Sequence, residues 1–278
     1  MGERDQYVVI GNPIEHSKSP QIHYMFGEQT GEPIEYKKIL CPLGGFTRAV
    51  TDFFAEGGLG ANVTVPFKLD AYDLATARST RVEHARAANT LVNKDGLIHA
   101  ENTDGLGFVT DIVRNLEFPI VDKSILIVGA GGAARGILLP LVEERPKRIM
   151  VVNRTPDKAR ELIKSIEADT KGFPIVLLSG GLQDVVEDEF DMIVNATSSS
   201  LSGDAFPLSS NVLGPNALAY DMMYGKDDTS FSRWASVAKA YQISDGLGML
   251  VEQAAESFFL WRGKRPETRA VMEALRAT

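Results

Sequence analysis

The chain has 278 residues, of which 44% are hydrophobic and 24% charged, and a net charge of −8. This is the composition of a folded globular chain long enough for two domains, and it argues against a disordered segment, a polybasic membrane surface or a broad nucleic-acid-binding face. A single cysteine, Cys41, rules out an intramolecular disulfide and points to a reducing cytoplasm, while the four histidines fall in no metal-ligand spacing.

The N-terminal stretch contains acidic residues, and its apolar run is too short for a signal peptide. No uninterrupted apolar stretch reaches membrane-spanning length. Tyr7–Ile10 is read as a strand leading through Gly11-Asn12-Pro13 to Ser17-Lys18-Ser19-Pro20. Ser19 followed by Pro20 reads as an N-cap with proline at the first helical position, ahead of Ile22, Met25 and Phe26. Ser17 and Ser19 fit two readings: a helix cap alone, or hydroxyls that receive a small anion such as a carboxylate at a helix N-terminus. Glu35–Leu40 is predicted as a strand and Phe46–Phe54 as a helix.

In Gly60–Lys68, GANVTVPFK, alternation sets Val63 and Val65 on one face and Asn62 and Thr64 on the other. Pro66 stops the strand and can open the next helix, which puts Lys68 in a first turn, where the helix dipole disfavours a cation. Lys68 is therefore either a solvated surface lysine or one compensated by a nearby acid. Thr90–Asn93 and Gly96–Ala100 flank a hairpin signal, Lys94-Asp95-Gly96, with Asn89 before it and Glu101-Asn102-Thr103-Asp104-Gly105 after it. Leu106, Val109, Ile112, Val113 and Leu116 then recur at helical spacing. Capping that helix is a sufficient structural reason for Asp104; a functional one needs a partner, for which Lys68 is the candidate.

Ser124–Gly136, SILIVGAGGAARG, joins a buried apolar run (Ile125–Val128) to a helix carrying Ile137, Leu138, Leu141 and Val142. Strand, glycine turn and helix form the context in which such a motif binds a dinucleotide: Gly129 allows the tight turn, and Gly131 lets the backbone approach a pyrophosphate. A tight turn without a ligand is the plain alternative. The next strand, Arg148–Arg154, ends in Asn153, Arg154 and Thr155, with Lys158 a turn later. A carboxylate there would favour NAD, whereas cations suit a 2′-phosphate, so NADP is expected; the alternative is a surface arginine after a strand.

Further strands are predicted at Ile175–Leu178, at Phe190–Asn195 ahead of Ala196-Thr197-Ser198, and at Ala217–Asp221 running into Met222, Met223 and Tyr224; Ser230–Ala240 reads as a helix. The alternation is that of a doubly wound α/β domain, with ligands beyond the carboxyl ends of the strands. From Asp245 to Trp261 an apolar helix face is formed by Leu247, Leu250, Val251, Ala254, Phe258 and Trp261, with Gln253 at its margin. Gln253 is either a solvent-edge amide or a donor–acceptor pair aimed into a cleft. A domain boundary is expected near Gly105.

The segments GNPIEHSKSP, GANVTVPFK, ANTLV, ENTDGLG, GAGGAARG, NRT with Lys158, NATSS, YDMMYG and DGLGMLVEQAA together resemble the shikimate dehydrogenase family, in family order and across nearly the whole chain. The resemblance implies an α/β substrate domain (residues 1–105, completed by 246–278), a Rossmann-like NADP domain (106–245) and a cleft between them. It implies NADPH-dependent, reversible reduction of 3-dehydroshikimate to shikimate in aromatic amino acid biosynthesis. By it Ser17 and Ser19 bind the substrate carboxylate; Thr64, Asn89, Asp104, Tyr224 and Gln253 contact ring hydroxyls or carboxylate; Asn62 lies near the same pocket. Lys68 and Asp104 would be the catalytic pair. Gly129, Ala130, Gly131, Gly132, Ala133, Asn153, Arg154, Thr155, Lys158, Thr197, Met222 and Gly246 would hold the cofactor, and no metal is implied. The partner is a small molecule, with no nucleic acid or membrane, for a monomer or homodimer. Two rivals are a quinate/shikimate dehydrogenase using NAD or NADP and a catalytically silent metabolite-binding homologue. Ser200, Arg86, Ala88 and Glu252 depart from the family pattern, where a glycine, a glycine, a valine and a small residue are usual.

Overall fold

A computed structural model describes residues 4–185, 188–197, 205–225 and 227–277. The chain divides into two α/β units, Met1–Gly107 with Leu250–Thr278, and Phe108–Met249.

In the first unit the chain runs β1 (Asp5–Gly11), α1 (Ser19–Thr30), β2 (Ile34–Leu40), α2 (Phe46–Ala55), β3 (Gly60–Val63), α3 (Lys68–Leu74), β4 (Ala77–Arg78), α4 (Thr80–Ala85), β5 (Thr90–Lys94), β6 (Leu97–Glu101) and the start of α5 (Asp104–Thr110). The sheet order is β2-β1-β3-β5-β6-β4. β1 runs parallel to β2 and β3, and β5 is antiparallel to β3 and β6. The β5–β6 hairpin closes through Asp95 and Gly96, both at positive φ (52° and 82°), as a two-residue turn matching the strand twist requires. Val8, Ile10, Val63, Phe67, Leu91 and the Phe46 ring fill the core between sheet and helices.

The second unit holds β7 (Ser124–Val128), α6 (Gly132–Glu143), β8 (Arg148–Val152), α7 (Pro156–Ile166), β9 (Val176–Gly180), β10 (Phe190–Asn195), β11 (Leu213–Asp221), α8 (Ser230–Val237) and β12 (Gln242–Ser244). Its six strands are all parallel in the order β12-β11-β10-β7-β8-β9. This doubly wound arrangement reverses direction at β7, so β7 and β10 flank the switch point where such sheets bind ligands. Buried aliphatics of β7, β8 and α6 (Ile125, Ile127, Ile149, Val151, Ile137, Leu141) pack the core, which explains the unbroken apolar run of each strand.

α9 (Leu247–Arg262) belongs to the first unit from Leu250 onward, and α10 (Arg269–Arg276) ends the chain. There Trp261 stacks on Tyr7, with ring centroids 4.7 Å apart, and its indole N–H donates to the Leu91 carbonyl at 3.1 Å. Both ends of the amphipathic ring are thereby satisfied. No described helix is long and apolar enough to cross a membrane.

Three local expectations need correcting. The N-cap position of α1 is Lys18, not Ser19, and it is Ser17 Oγ that receives the Ser19 N–H, at 3.3 Å. The strand expected through Val65 ends at Val63, because a turn closed by Phe67 N–H on the Thr64 carbonyl (3.0 Å) follows; Val65 is left 61% exposed, not on the buried face with Val63. Asp104 is the first residue of α5 rather than the residue before it, and its own N–H is received by Asn102 Oδ1 at 3.1 Å.

Candidate active site

α3 opens at Lys68, with the cation in its first turn. Lys68 Nζ donates to Asp104 Oδ2 at 2.5 Å, which offsets the repulsion between an ammonium and the positive helix end. The two side chains are 32% and 19% exposed, so the pair is reachable yet partly withdrawn from water. The other carboxylate oxygen, Asp104 Oδ1, accepts from Asn89 Nδ2 at 2.8 Å. With a hydrogen bond on each oxygen, the carboxylate is fixed in direction and fixes the ammonium in turn.

Asn89 is the hub. Its amide nitrogen also lies 2.9 Å from Thr103 Oγ1 and 3.2 Å from Gln253 Oε1, while its oxygen receives the Thr103 N–H at 2.8 Å. Gln253, expected at the margin of its helix, is 9% exposed and faces this cluster. Asn62, also buried, donates to the Asn89 carbonyl (3.2 Å), Thr90 Oγ1 (3.1 Å) and Ser257 Oγ (3.0 Å), and accepts from Tyr36 Oη (2.8 Å). Burial holds the Tyr36 phenol well above its usual pKa, opposed by a hydrogen bond from the Ser19 hydroxyl. A continuous polar chain thus runs from Ser19 through Tyr36, Asn62 and Asn89 to Asp104 and Lys68. Thr64 is half-buried beside Gly11, and Ser17 is half-buried next to Ser19.

Sequence reasoning misses Tyr36, Thr90, Thr103 and Ser257. Of these Ser257 could be found, since it lies four residues after Gln253 and so on the same helix face. Tyr36 sits in an ordinary strand and carries no signal. Behind it lies His23, stacked at 4.3 Å, fully buried with neither ring nitrogen hydrogen-bonded. Burial lowers its pKa from 6.5 to about 3, with the nearby Asn62 acting in the other direction.

In the second unit, Gly129 follows β7 at φ 116°, and a Cβ there would lie 2.9 Å from the Ala196 carbonyl oxygen, so glycine is required twice over. Gly131 and Gly132, at the start of α6, face open space. The first amides of that helix have no intrahelical acceptor, and nothing on Gly131, Gly132 or Ala133 larger than a methyl covers them. Beyond β8, Arg154, Thr155 and Lys158 are exposed and Asn153 half-buried, its amide donating to the Thr155 carbonyl at 3.0 Å. Among the described residues no carboxylate pairs with Arg154 or Lys158, so both cations are available to an anion. Thr197 is held by Asn195, whose Oδ1 takes both its N–H (3.2 Å) and hydroxyl (2.7 Å). The Met222 carbonyl presses against Gly246, where a Cβ would overlap its oxygen. Tyr224 belongs to this unit too, in the loop after β11, with burial raising its pKa. The second serine of NATSS, like Ser198 and the departure at Ser200, lies outside the described residues.

Family models described as the shikimate dehydrogenase substrate binding domain, shikimate / quinate 5-dehydrogenase and the shikimate 5'-dehydrogenase C-terminal domain match residues 9–91, 112–202 and 246–276. The chain belongs to the shikimate dehydrogenase family. It is 52% identical to a shikimate dehydrogenase (NADP(+)) from Cupriavidus necator over 98% of this chain and 94% of that protein. Among solved structures, it is similar to an Ael1 enzyme from Pseudomonas putida (TM-score 0.91, 45% identity, 98% of each chain). It is also similar to shikimate 5-dehydrogenase from Thermus thermophilus in complex with NADP(H) and shikimate (TM-score 0.85, 28% identity, 98% of this chain and 99% of that one). The departures from the shikimate dehydrogenase pattern now have physical settings. Arg86 takes the left-handed conformation (φ 48°) that a glycine adopts without strain, and Ala88 is fully buried. Glu252 is buried and accepts from the Thr268 hydroxyl at 2.6 Å, which ties α9 to the start of α10.

Proposed function

We propose that this chain is an NADP-dependent shikimate dehydrogenase, an oxidoreductase that interconverts 3-dehydroshikimate and shikimate. The observation that carries the reading is the 2.5 Å Lys68–Asp104 pair, fixed by Asn89 and surrounded by buried amides and hydroxyls in one unit. The first unit, with the C-terminal helices, is the substrate domain, and the second is the cofactor domain.

The open face at Gly131 and Gly132, the start of α6 and the exposed cations Arg154 and Lys158 fit a dinucleotide with a 2′-phosphate. Gly129–Ala133, Thr197, Met222 and Gly246 would hold its pyrophosphate and nicotinamide, and Asn153–Lys158 its phosphorylated ribose. When bound, NADPH supplies the hydride. Lys68, as an ammonium, stabilises the charge that builds on the ketone oxygen and delivers a proton to it; solvent restores the ammonium. In the reverse direction the amine accepts the proton. Asp104 holds Lys68 in place and accepts from a substrate hydroxyl, because its carboxylate retains further acceptor capacity. Ser17, Ser19, Asn62, Thr64, Asn89, Tyr224 and Gln253 supply the remaining polar contacts, the first two to the substrate carboxylate. The setting proposed is the cytoplasm, for a monomer or homodimer without nucleic acid.

The test is an absorbance assay at the nicotinamide band that crosses shikimate and quinate with NADP and NAD. The highest kcat/KM is expected for shikimate with NADP. A preference for quinate or NAD would overturn the specificity, and tight shikimate binding without turnover would overturn the enzymatic reading.

A further inference from the structure

Asp221 is the last residue of β11 and is wholly buried, paired in register with Asn195, the last residue of β10. Its Oδ1 accepts from Asn195 Nδ2 at 2.9 Å and from the Met223 N–H at 3.0 Å, and its Oδ2 from the Thr229 hydroxyl at 2.5 Å. Each donor comes from a different segment. Asn195 in turn fixes Thr197 through its N–H and hydroxyl. Met223 adjoins Met222, whose carbonyl abuts Gly246. Thr229 caps α8 by accepting the Ser232 N–H at 3.1 Å.

We propose that Asp221 is a positioning residue for the nicotinamide side of the cofactor site, holding the Thr197 and Met222 segments in one arrangement. The inference rests on the cofactor reading above. The sheet order separates two effects: Thr197 and Met222 follow β10 and β11 on one side of β7, whereas Arg154 and Lys158 follow β8 on the other. Loss of Asp221 should therefore loosen the nicotinamide end and spare the 2′-phosphate end. The carboxylate oxygens also differ. An asparagine keeps an oxygen for Asn195 and Met223 and turns its NH2 to the Thr229 hydroxyl, which can redirect its own hydrogen to Ser232 Oγ at 3.2 Å.

The test is calorimetric binding of NADPH and of 2′,5′-ADP, which carries only the adenosine half, to wild type and variants. Asp221→Ala is expected to weaken NADPH roughly 10-fold or more, as removal of a hydrogen bond to a charged group does, with 2′,5′-ADP unchanged. Asp221→Asn is expected to restore NADPH affinity, and Thr229→Ala to lower Tm without moving it. If Asp221→Ala does not fold, Asn195→Ala removes the inter-strand bond from the other side and should give the same split. Equal loss for both ligands, unchanged NADPH affinity in a folded variant, or equal weakening by Thr229→Ala would overturn the proposal. Failure of wild type to bind 2′,5′-ADP would instead remove the cofactor reading, and this inference with it.

Discussion

His23 makes the first unit acid-sensitive by a calculable amount. Its imidazole is fully buried among Phe26, Tyr36, Phe258 and Trp261, with no hydrogen bond to either nitrogen, and its pKa falls from 6.5 to about 3. Between these values the unfolded chain holds a proton that the folded one refuses. Stability is therefore whole above pH 6.5, falls as the pH drops, and stops falling through this group near pH 3. Linkage gives about 1.4 kcal/mol per pH unit in that window, so this one group costs about 2 kcal/mol between pH 7 and pH 5. That is a large share of the net stability of an ordinary domain. His23→Phe keeps an aromatic ring in the stack and removes the titration. Urea unfolding, followed by Trp261 fluorescence in a Trp234→Phe background, should show wild type losing about 2 kcal/mol more than His23→Phe over that range. Parallel losses in the two proteins, or a histidine signal from His23 titrating near its ordinary value, would refute the reasoning.

Arg154→Ala should raise KM for NADPH about 10-fold or more and leave that for NADH little changed, since only the former has a 2′-phosphate to pair with; steady-state kinetics with both cofactors checks this. Gly246→Ala must push back the Met222 carbonyl, which the new Cβ would overlap, so a higher KM for NADPH is expected with that for shikimate nearly unchanged. Ser257→Ala removes an acceptor from Asn62 but leaves it two others, so KM for shikimate should rise a few-fold, about what one neutral hydrogen bond is worth, with kcat nearly constant.

In the second unit β7 and β8 were legible as unbroken apolar runs, with the glycine motif marking the turn after β7; β12 (Gln242–Ser244) carries no such run, and β11 opens four residues before Ala217 in a Gly-Pro-Asn stretch that reads as a turn. The first unit was legible in its longer strands and helices, but not in β4, α4 or α10, nor in its connections. Asn89 and Gln253 stand out one at a time; that their side chains meet depends on α9 packing beside β5, which no local pattern encodes. Asp104 had a sufficient local explanation as a cap, and that its carboxylate meets Lys68 and Asn89 depends on contacts 36 and 15 residues apart in sequence, beyond the reach of any local pattern. Val65 does not continue the strand face of Val63 because strand alternation cannot foresee a turn that begins at Thr64. His23 and Tyr36 left no trace, since a buried unpaired imidazole reads like any helical histidine.

The most direct measurement is kcat for Lys68→Ala at saturating shikimate and NADP, with folding verified by near-ultraviolet circular dichroism. Loss of the ammonium that Asp104 holds should lower kcat by roughly 10²–10⁴-fold, the range for a positioned acid or base, with KM for NADP little altered. A well-folded Lys68→Ala protein that turns over within a few-fold of wild type would contradict the assignment and place the proton elsewhere.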